Sequence, residues 1–184
     1  MSPPVIRTFA TAAMTPAEAR AIRSLMDRAF ADDEDGAFED ADWEHALGGL
    51  HVVAEEHERI LAHASVVPRV LIAGGTQLRT GYVEAVATEP GRQGEGHGTA
   101  VMGVVGEYIA STYELGALGT GAFQFYERLG WRRWPGPTGV RRAGGVTERT
   151  RDEDGYVMVL ATPTTPPLDD KALLTCEERP GDVW

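Results

Sequence analysis

The stretch EPGRQGEGHGTAVMGVV, from Glu89 to Val105, decides the fold. Four glycines, Gly91, Gly94, Gly96 and Gly98, crowd ahead of a run with helical character. A glycine-rich turn that opens a helix binds anions, because the first helical amides lack intrahelical acceptors and no side chains screen them. Two phosphate motifs can be tested here. In GxxxxGK[ST], Gly91 and Gly96 have the right spacing, but His97 and Gly98 stand where Lys and Ser/Thr are required. In GxGxxG started at Gly94, Thr99 replaces the third glycine, and Glu114, at about the distance of the ribose-binding acid, precedes a strand instead of following one. Taken alone, the segment also reads as a merely tight strand-to-helix connection.

Outward from this turn, the pattern is mixed. VIRTF (Val5 to Phe9) reads as a first strand. TPAEARAIRSLMDRAF reads as a helix with Thr15 as N-cap, Pro16 in the first position and Glu18 closing a capping box. Ile22, Leu25, Met26 and Ala29 recur at helical spacing and face the core. An acid-rich segment follows, a loop plus a short helix ending at Gly48-Gly49. LHVVAEE, RILAHASVV and QLRTGYVEAVAT read as an antiparallel meander with turns at HERI and LIAGGTQ. A helix from about Thr99 to Thr112 is expected, then a short strand LGAL (Leu115 to Leu118) and a short helix AFQFYERLGW stopped by Gly130. GYVMVLA is a clear strand, and TPTTPPL connects it to a last segment ending GDVW. This order predicts one α/β domain of the α+β type over residues 1–184, with a central mixed, mostly antiparallel sheet flanked by helices. Residues 162–184 are expected to be a tail that returns to the substrate cleft.

The turn fits a third pattern, Gln/Arg-x-x-Gly-x-Gly/Ala, at Gln93-Gly94-Glu95-Gly96-His97-Gly98. Downstream, Ala122, Phe125, Tyr126, Gly130 and Trp131 fall as A-x-x-F-Y-x-x-x-G-[FW]. This ordered pair, strand–turn–helix and then strand–short helix, resembles the GNAT N-acetyltransferase superfamily. The resemblance implies acetyl-CoA as co-substrate, held by Gln93, Gly94, Glu95, Gly96, His97 and Gly98 and by the strand end Val86, Ala87 and Thr88.

Amine acetylation needs a group to take the amine proton, a donor for the thioester oxygen and a proton for the departing thiolate. Glu84 lies in an otherwise apolar strand, where a carboxylate is costly unless used or paired. It suits a general base acting directly or through water. Strict alternation, with Val83 and Ala85 inward, would instead turn Glu84 to solvent, and the pattern alone weighs the two equally. The resemblance selects the base. Tyr126 suits the general acid, against the plainer reading of a core tyrosine on a short helix. A backbone amide near Val86 would meet the oxyanion if the strand bulges or splays there, which no residue pattern reveals.

A narrower resemblance runs from about Phe30 to Trp184. DWEHALGGLH, LRTGYVEAVA, YELGAL, YERLGWRRWPGPT and GDVW resemble the aminoglycoside 2′-N-acetyltransferases. It implies a polycationic aminoglycoside substrate, contacted by Asp42, Glu84, Ala85, Gly119, Asp152, Glu153, Asp182 and Trp184 with its α-carboxylate. Asp42 also reads as an N-cap, and GDVW as a frayed tail, although a terminal tryptophan favours docking. The family pattern has serine where Gly119 stands and an acid where Ala37 falls. Thr120 and Asp35 are at hand to compensate, and both departures bear on substrate range.

Composition agrees with that substrate. The chain has 184 residues, 28 acidic against 17 basic, and a net charge of −11. Such a balance disfavours a nucleic-acid binder and favours cationic ligands. The run Asp32 to Glu39 reads as a solvated face. No apolar run approaches the roughly 18 residues of a membrane helix, and no secretory signal is apparent. The single cysteine, Cys176, rules out an internal disulfide and a cysteine zinc site. His45, His51, His57, His63 and His97 lack metal-ligand spacing and read as structural, so no metal is expected. Arg132, Arg133, Arg141 and Arg142 form a basic patch, either a surface face or a contact for the ribose phosphate of CoA. A cytoplasmic location is expected, and the superfamily resemblance raises a homodimer. Two rivals stand beside this reading: an acetyltransferase for a polyamine or protein N-terminus, and a non-catalytic CoA- or aminoglycoside-binding protein.

Overall fold

The computed structural model describes residues 4–31 and 36–184. In chain order its elements are β1 (Val5–Ala10), α1 (Pro16–Ala29), α2 (Asp40–His45), β2 (Leu50–Glu56), β3 (Arg59–Ala73), β4 (Thr76–Thr88), α3 (His97–Thr112), β5 (Leu115–Gly119), α4 (Phe123–Glu127), β6 (Arg132–Arg133), β7 (Thr138–Arg141), β8 (Thr147–Arg149), β9 (Val157–Ala161) and β10 (Leu174–Glu177). Single 3-10 turns occupy Thr11–Ala13, Pro90–Arg92 and Arg151–Glu153. Hydrogen-bonded strand neighbours follow the order β6-β9-β5-β4-β3-β10-β7-β8, with β1 on β2 and β2 on β3. The β4–β5 and β7–β10 pairs are parallel and the neighbours β1–β2, β2–β3, β3–β10, β5–β9, β6–β9 and β7–β8 antiparallel, so the expected mixed, mostly antiparallel class is the observed one. The chain divides into two compact units, and β3 and β4 each contribute to both.

The first unit comprises residues up to Val67 and Val83–Val105. Thr15 and Glu18 form the capping box that starts α1, with Pro16 at its first position. The α1 face of Ile22, Leu25 and Met26 is fully buried against Val53, Ile60 and Ala87, with Phe9, Phe30, Phe38, Trp43 and Ala85 around it. The β2–β3 hairpin turns on two residues, His57 at φ 51° and Glu58 at φ 63°, the doubly left-handed geometry that matches strand twist. Its register then shifts at Ala54/Glu55. Helix α3 begins at His97, two residues before the expected Thr99. Asp32, Asp33, Glu34 and Asp35, including the candidate compensating acid, lie outside the described residues.

The second unit comprises Pro68–Tyr82 and Gly106–Trp184. Strand β3 does not turn at Leu71 but runs on to Ala73, and the turn to β4 is the glycine pair Gly74 and Gly75 at φ 55° and 91°. Pro68 is tolerated because it sits at an exposed position past the last β2 partner, Val66, and before the first β10 partner, Ile72. Gly116 is required by close packing: a Cβ there would lie 3.0 Å from the Trp131 ring. The tail from Thr162 carries a strand of its own. β10 lies between β3 and β7, and its Cys176 is buried. With β6, β7 and β8 it adds to GYVMVLA, the one strand that is clear from the sequence after Trp131.

Candidate active site

Strand β4 is irregular where the chemistry was expected. Ala85 has φ 50°, left-handed backbone that a non-glycine residue in a strand adopts only when its surroundings hold it. The carbonyl of Glu84 accepts from Ser65 Oγ at 3.3 Å, and that of Ala85 from a His63 ring nitrogen at 2.7 Å. The strand is therefore broken at the residue after Glu84, and side chains of β3 take up two successive β4 carbonyls. Glu84, Ala85 and Val86 are half-buried, and Ala87 is buried. Glu84 is half-buried beside this irregularity, so the strict alternation that would turn it to solvent does not hold there.

The glycine turn is built as its residues dictate. Gly94 at φ 80° and Gly96 at φ 89° take conformations that side chains disfavour, and a Cβ on either would meet nothing within 4 Å. They lead straight into α3, whose first helical bond runs from Ala100 N–H to the Gly96 carbonyl at 2.9 Å. Glu95, an acid beside a proposed diphosphate cradle, is drawn aside by Arg92 at 2.7 Å, which also holds Glu56 at 2.8 Å. His97 is buried, with Nε2 3.2 Å from Glu95, while its Nδ1 has no partner among the described residues.

In the second unit, Tyr126 on α4 is 6% exposed and stacks edge-on against Phe125 and Trp131. Burial pushes its phenol pKa well up, so it stays protonated at neutral pH. Gly130 at φ 89° closes the turn after α4, with Trp131 N–H bonded to the Tyr126 carbonyl at 3.2 Å. The tail is docked, not frayed. Trp184 is 5% exposed, and its Nε1–H donates to Thr150 Oγ1 at 2.9 Å. Its amide donates to Asp182 Oδ1 at 3.1 Å. Buried Arg69 donates to the Val183 carbonyl at 2.9 Å and lies over the Tyr82 ring. A Cβ at Gly119 would lie 3.5 Å from the Trp184 carbonyl carbon and 3.6 Å from the Tyr82 hydroxyl.

Gly119, Asp182 and Trp184 are thus brought together, and the Trp184–Thr150 bond ties them to the 3-10 turn of exposed Asp152 and half-buried Glu153. Asp42 belongs to the first unit. It is not the N-cap of α2 but its N3 residue, and its Oδ2 accepts the N–H of the cap Glu39 at 2.8 Å. Thr120 Oγ1 accepts from the Ala122 amide at 2.9 Å. Each of the four arginines of the suspected patch has a local partner. Arg141 donates to the carbonyls of Thr175 and Val70, Arg142 pairs with Glu148 and Glu178, Arg132 with Asp170 and Arg133 with Glu127. Sequence reasoning passed over Ser65 and Arg69 and read His63 as structural only; their one signal was a polar residue inside an otherwise apolar strand.

Residues 11–134 match the acetyltransferase (GNAT) domain family. Over 153 residues, 82% of this chain and 78% of the relative, the sequence is 45% identical to the aminoglycoside 2′-N-acetyltransferase of Mycolicibacterium fortuitum. This chain belongs to the GNAT acetyltransferases. As a member it is an acetyl-CoA-dependent N-acetyltransferase. A GNAT acetyltransferase from Brucella melitensis in complex with acetyl-CoA shares the fold at TM-score 0.58 and 20% identity, over 90% of this chain and 94% of that one. YhbS from Escherichia coli in complex with CoA does so at TM-score 0.66 and 16% identity, over 95% and 89%. The GNAT chain here spans 33% of the length of a longer solved protein from Enterococcus faecalis V583, at TM-score 0.59 and 17% identity. Its own residues fit the donor: the turn at Gly94 and Gly96 is open, and the buried His97 Nδ1 lacks a partner among the described residues. Among those residues no group of three or more His, Cys, Asp or Glu could hold a metal, and no helix is long and apolar enough to cross a membrane.

Proposed function

We propose that this chain transfers the acetyl group of acetyl-CoA to the 2′-amine of an aminoglycoside. The observation that carries the substrate is its 45% identity to the M. fortuitum enzyme of that name. The acidic balance supports it, since a net charge of −11 favours a ligand with several ammonium groups. Acetyl-CoA supplies an acyl thioester. Glu84 takes the amine proton, directly or through water. An amide of the Val86–Thr88 strand end, released where Ala85 breaks the strand, meets the charge that develops on the thioester oxygen. Tyr126, kept protonated by burial, returns a proton to the departing sulfur. The amides from Gln93 to Gly98 hold the diphosphate. Asp42, Ala85, Gly119, Asp152, Glu153, Asp182 and Trp184 contact the sugar. The chain acts as one domain in the cytoplasm, as a homodimer, and confers resistance where the drug is present.

Mass-spectrometric acetyl transfer across a panel tests this. Tobramycin and gentamicin, which bear a 2′-amine, are acetylated; amikacin, with a 2′-hydroxyl, is not. Acetylation of both sets at another amine would refute the regiochemistry. Turnover of spermidine or peptides alone would select the polyamine or N-terminal rival, and drug binding without thiol release a non-catalytic protein. Light scattering of the same preparation reads the oligomeric state.

A further inference from the structure

Two histidines lie fully buried on β2 and β3, outside every residue given a catalytic or binding role above. His51 opposes Ser65 and His63 opposes Val53, so the two rings sit at diagonal positions on one face, with centroids 5.2 Å apart. Three contacts run in series. Thr11 Oγ1 is 2.8 Å from His51 Nε2, His51 Nδ1 is 2.9 Å from His63 Nε2, and His63 Nδ1 is 2.7 Å from the Ala85 carbonyl oxygen.

The last contact settles the protons of the others. A carbonyl oxygen only accepts, so His63 Nδ1 carries a hydrogen. A neutral imidazole has one N–H, so His63 Nε2 accepts, and the hydrogen between the rings belongs to His51 Nδ1. His51 Nε2 must then accept from the Thr11 hydroxyl. The Thr11 oxygen keeps its lone pairs for the amides of Gly48 at 2.9 Å and Gly49 at 3.2 Å. With both rings neutral every donor meets an acceptor under this assignment, and the Gly49 carbonyl, 3.2 Å from Thr11 Oγ1, is a second acceptor within reach of that hydroxyl. Burial enforces neutrality, pushing His51 down to about 4 and His63 to about 3.

The series ends on the one residue of β4 with left-handed backbone. In a regular strand, the carbonyls of Glu84 and Ala85 would point to opposite neighbours. Here Ser65 and His63 of the same strand β3 take both. Ser65 and His63 are two apart on β3, which puts them on one face. Thr11, beyond the end of β1, closes the series at its other end.

We propose that the His51–His63 pair is a positioning device for acetyl transfer: by donating into the Ala85 carbonyl it holds the left-handed break in β4 that aims the Glu84 carboxylate and releases the amide beside it. This rests on the reading of Glu84 as base and of the β4 end as oxyanion donor. Neither histidine touches substrate in this role. Both act through Ala85, and a purely structural pair would move stability without moving kcat selectively.

Two measurements decide it. Imidazole 15N spectra of the wild-type protein at neutral pH read the tautomers, whatever amine is the substrate. Both histidines neutral with hydrogen on Nδ1 supports the device; an Nε2–H tautomer or a charged ring on either overturns it. Steady-state kinetics then compare His63→Leu, which lacks a donor, with His63→Asn, whose amide nitrogen takes the place of Nδ1. H63L is expected to lose about tenfold or more in kcat with the acetyl-CoA KM within about twofold, a size that misplacement of a reacting group readily produces. H63N is expected to keep kcat within about threefold. Unchanged kcat in H63L, or an equal loss in the two variants, overturns the proposal. Should H63L not fold, a tenfold loss in folded H63N does so. If the wild type acetylates a different amine, the aminoglycoside reading fails while the same variants, assayed on that amine, still decide. If it acetylates none, the tautomers do.

Discussion

The indole N–H of Trp184 donates to the hydroxyl of Thr150 at 2.9 Å, which fixes residue 184 beside the 3-10 turn that carries Asp152 and Glu153. Trp184→Phe keeps the apolar ring and loses this bond, worth about 1 kcal/mol. An aminoglycoside KM raised about fivefold is expected, with the acetyl-CoA KM unchanged. Trp184→Ala should raise it tenfold or more, because the ring that docks the tail is gone. An acetyl-CoA KM that moves with the sugar KM would detach Trp184 from substrate contact.

Glu84 stands next to the break in β4, and its role as base predicts a specific loss. Glu84→Gln keeps size and hydrogen bonding but cannot take a proton. The expected result is a fall in kcat of about 10²-fold or more, in the range of general-base catalysis. CoA affinity, measured by calorimetry, should stay within about twofold. Retained turnover would remove Glu84 from the mechanism.

What the residues disclose and what they hide follows range of interaction. The start of α1 was legible because Thr15, Pro16 and Glu18 act within one turn. The turn at Gly94 and Gly96 was legible because glycine is the residue that positive φ favours. β10 was hidden: LTCE is four residues long, and its place between β3 and β7 depends on partners some 35 and 100 residues away in sequence. The break at Ala85 was hidden for a different reason. Alanine has no preference for left-handed backbone, so nothing local marks it, and what holds it lies on β2 and β3. The alternative reading of Asp42 as a cap fails because Glu39, three residues earlier, takes that position and leaves Asp42 the reciprocal one.

The buried histidines predict an acid-sensitive fold. In the unfolded chain they titrate near 6.5. In the folded protein burial holds His51 near 4 and His63 near 3. Below about pH 6.5 the unfolded state binds protons that the folded state refuses. The stabilisation is complete above that pH and is lost as pH falls toward 4, at up to about 1.4 kcal/mol per pH unit for each ring. Urea midpoints at pH 7.5, 6 and 5 should fall accordingly, and His51→Leu should flatten the slope by about half. Glu18, held near 2 by the Thr15 amide and hydroxyl and then by Arg7, acts in a separate window below about 4.5. A midpoint flat from pH 7.5 to 5 would contradict the neutral pair.

Gly96→Ala separates conformation from sterics at the donor turn. The residue has φ 89° and open space where a Cβ would go, so the cost is backbone strain of about 1–2 kcal/mol. If the turn holds the diphosphate, that strain should appear as an acetyl-CoA KM raised about tenfold, with the aminoglycoside KM little changed. A variant that binds CoA as tightly as the wild type would place the diphosphate elsewhere.

Ala85→Gly asks whether the break in β4 is imposed or intrinsic. Alanine at φ 50° costs about 1 kcal/mol relative to glycine, and the bonds to its carbonyl and to that of Glu84 offset that cost. Glycine removes the local penalty, so a thermal midpoint equal to or above that of the wild type is expected. This sets A85G apart from most buried substitutions, which destabilise. The turnover should nonetheless fall, by roughly threefold to tenfold, because glycine gives the strand conformations in which Glu84 is aimed elsewhere. Pairing A85G with H63L carries the argument further. With glycine at 85 the imidazole has less strain to hold against, so the double variant should be more stable than the summed effects of the two single changes give. Strict additivity would show that His63 and residue 85 act independently.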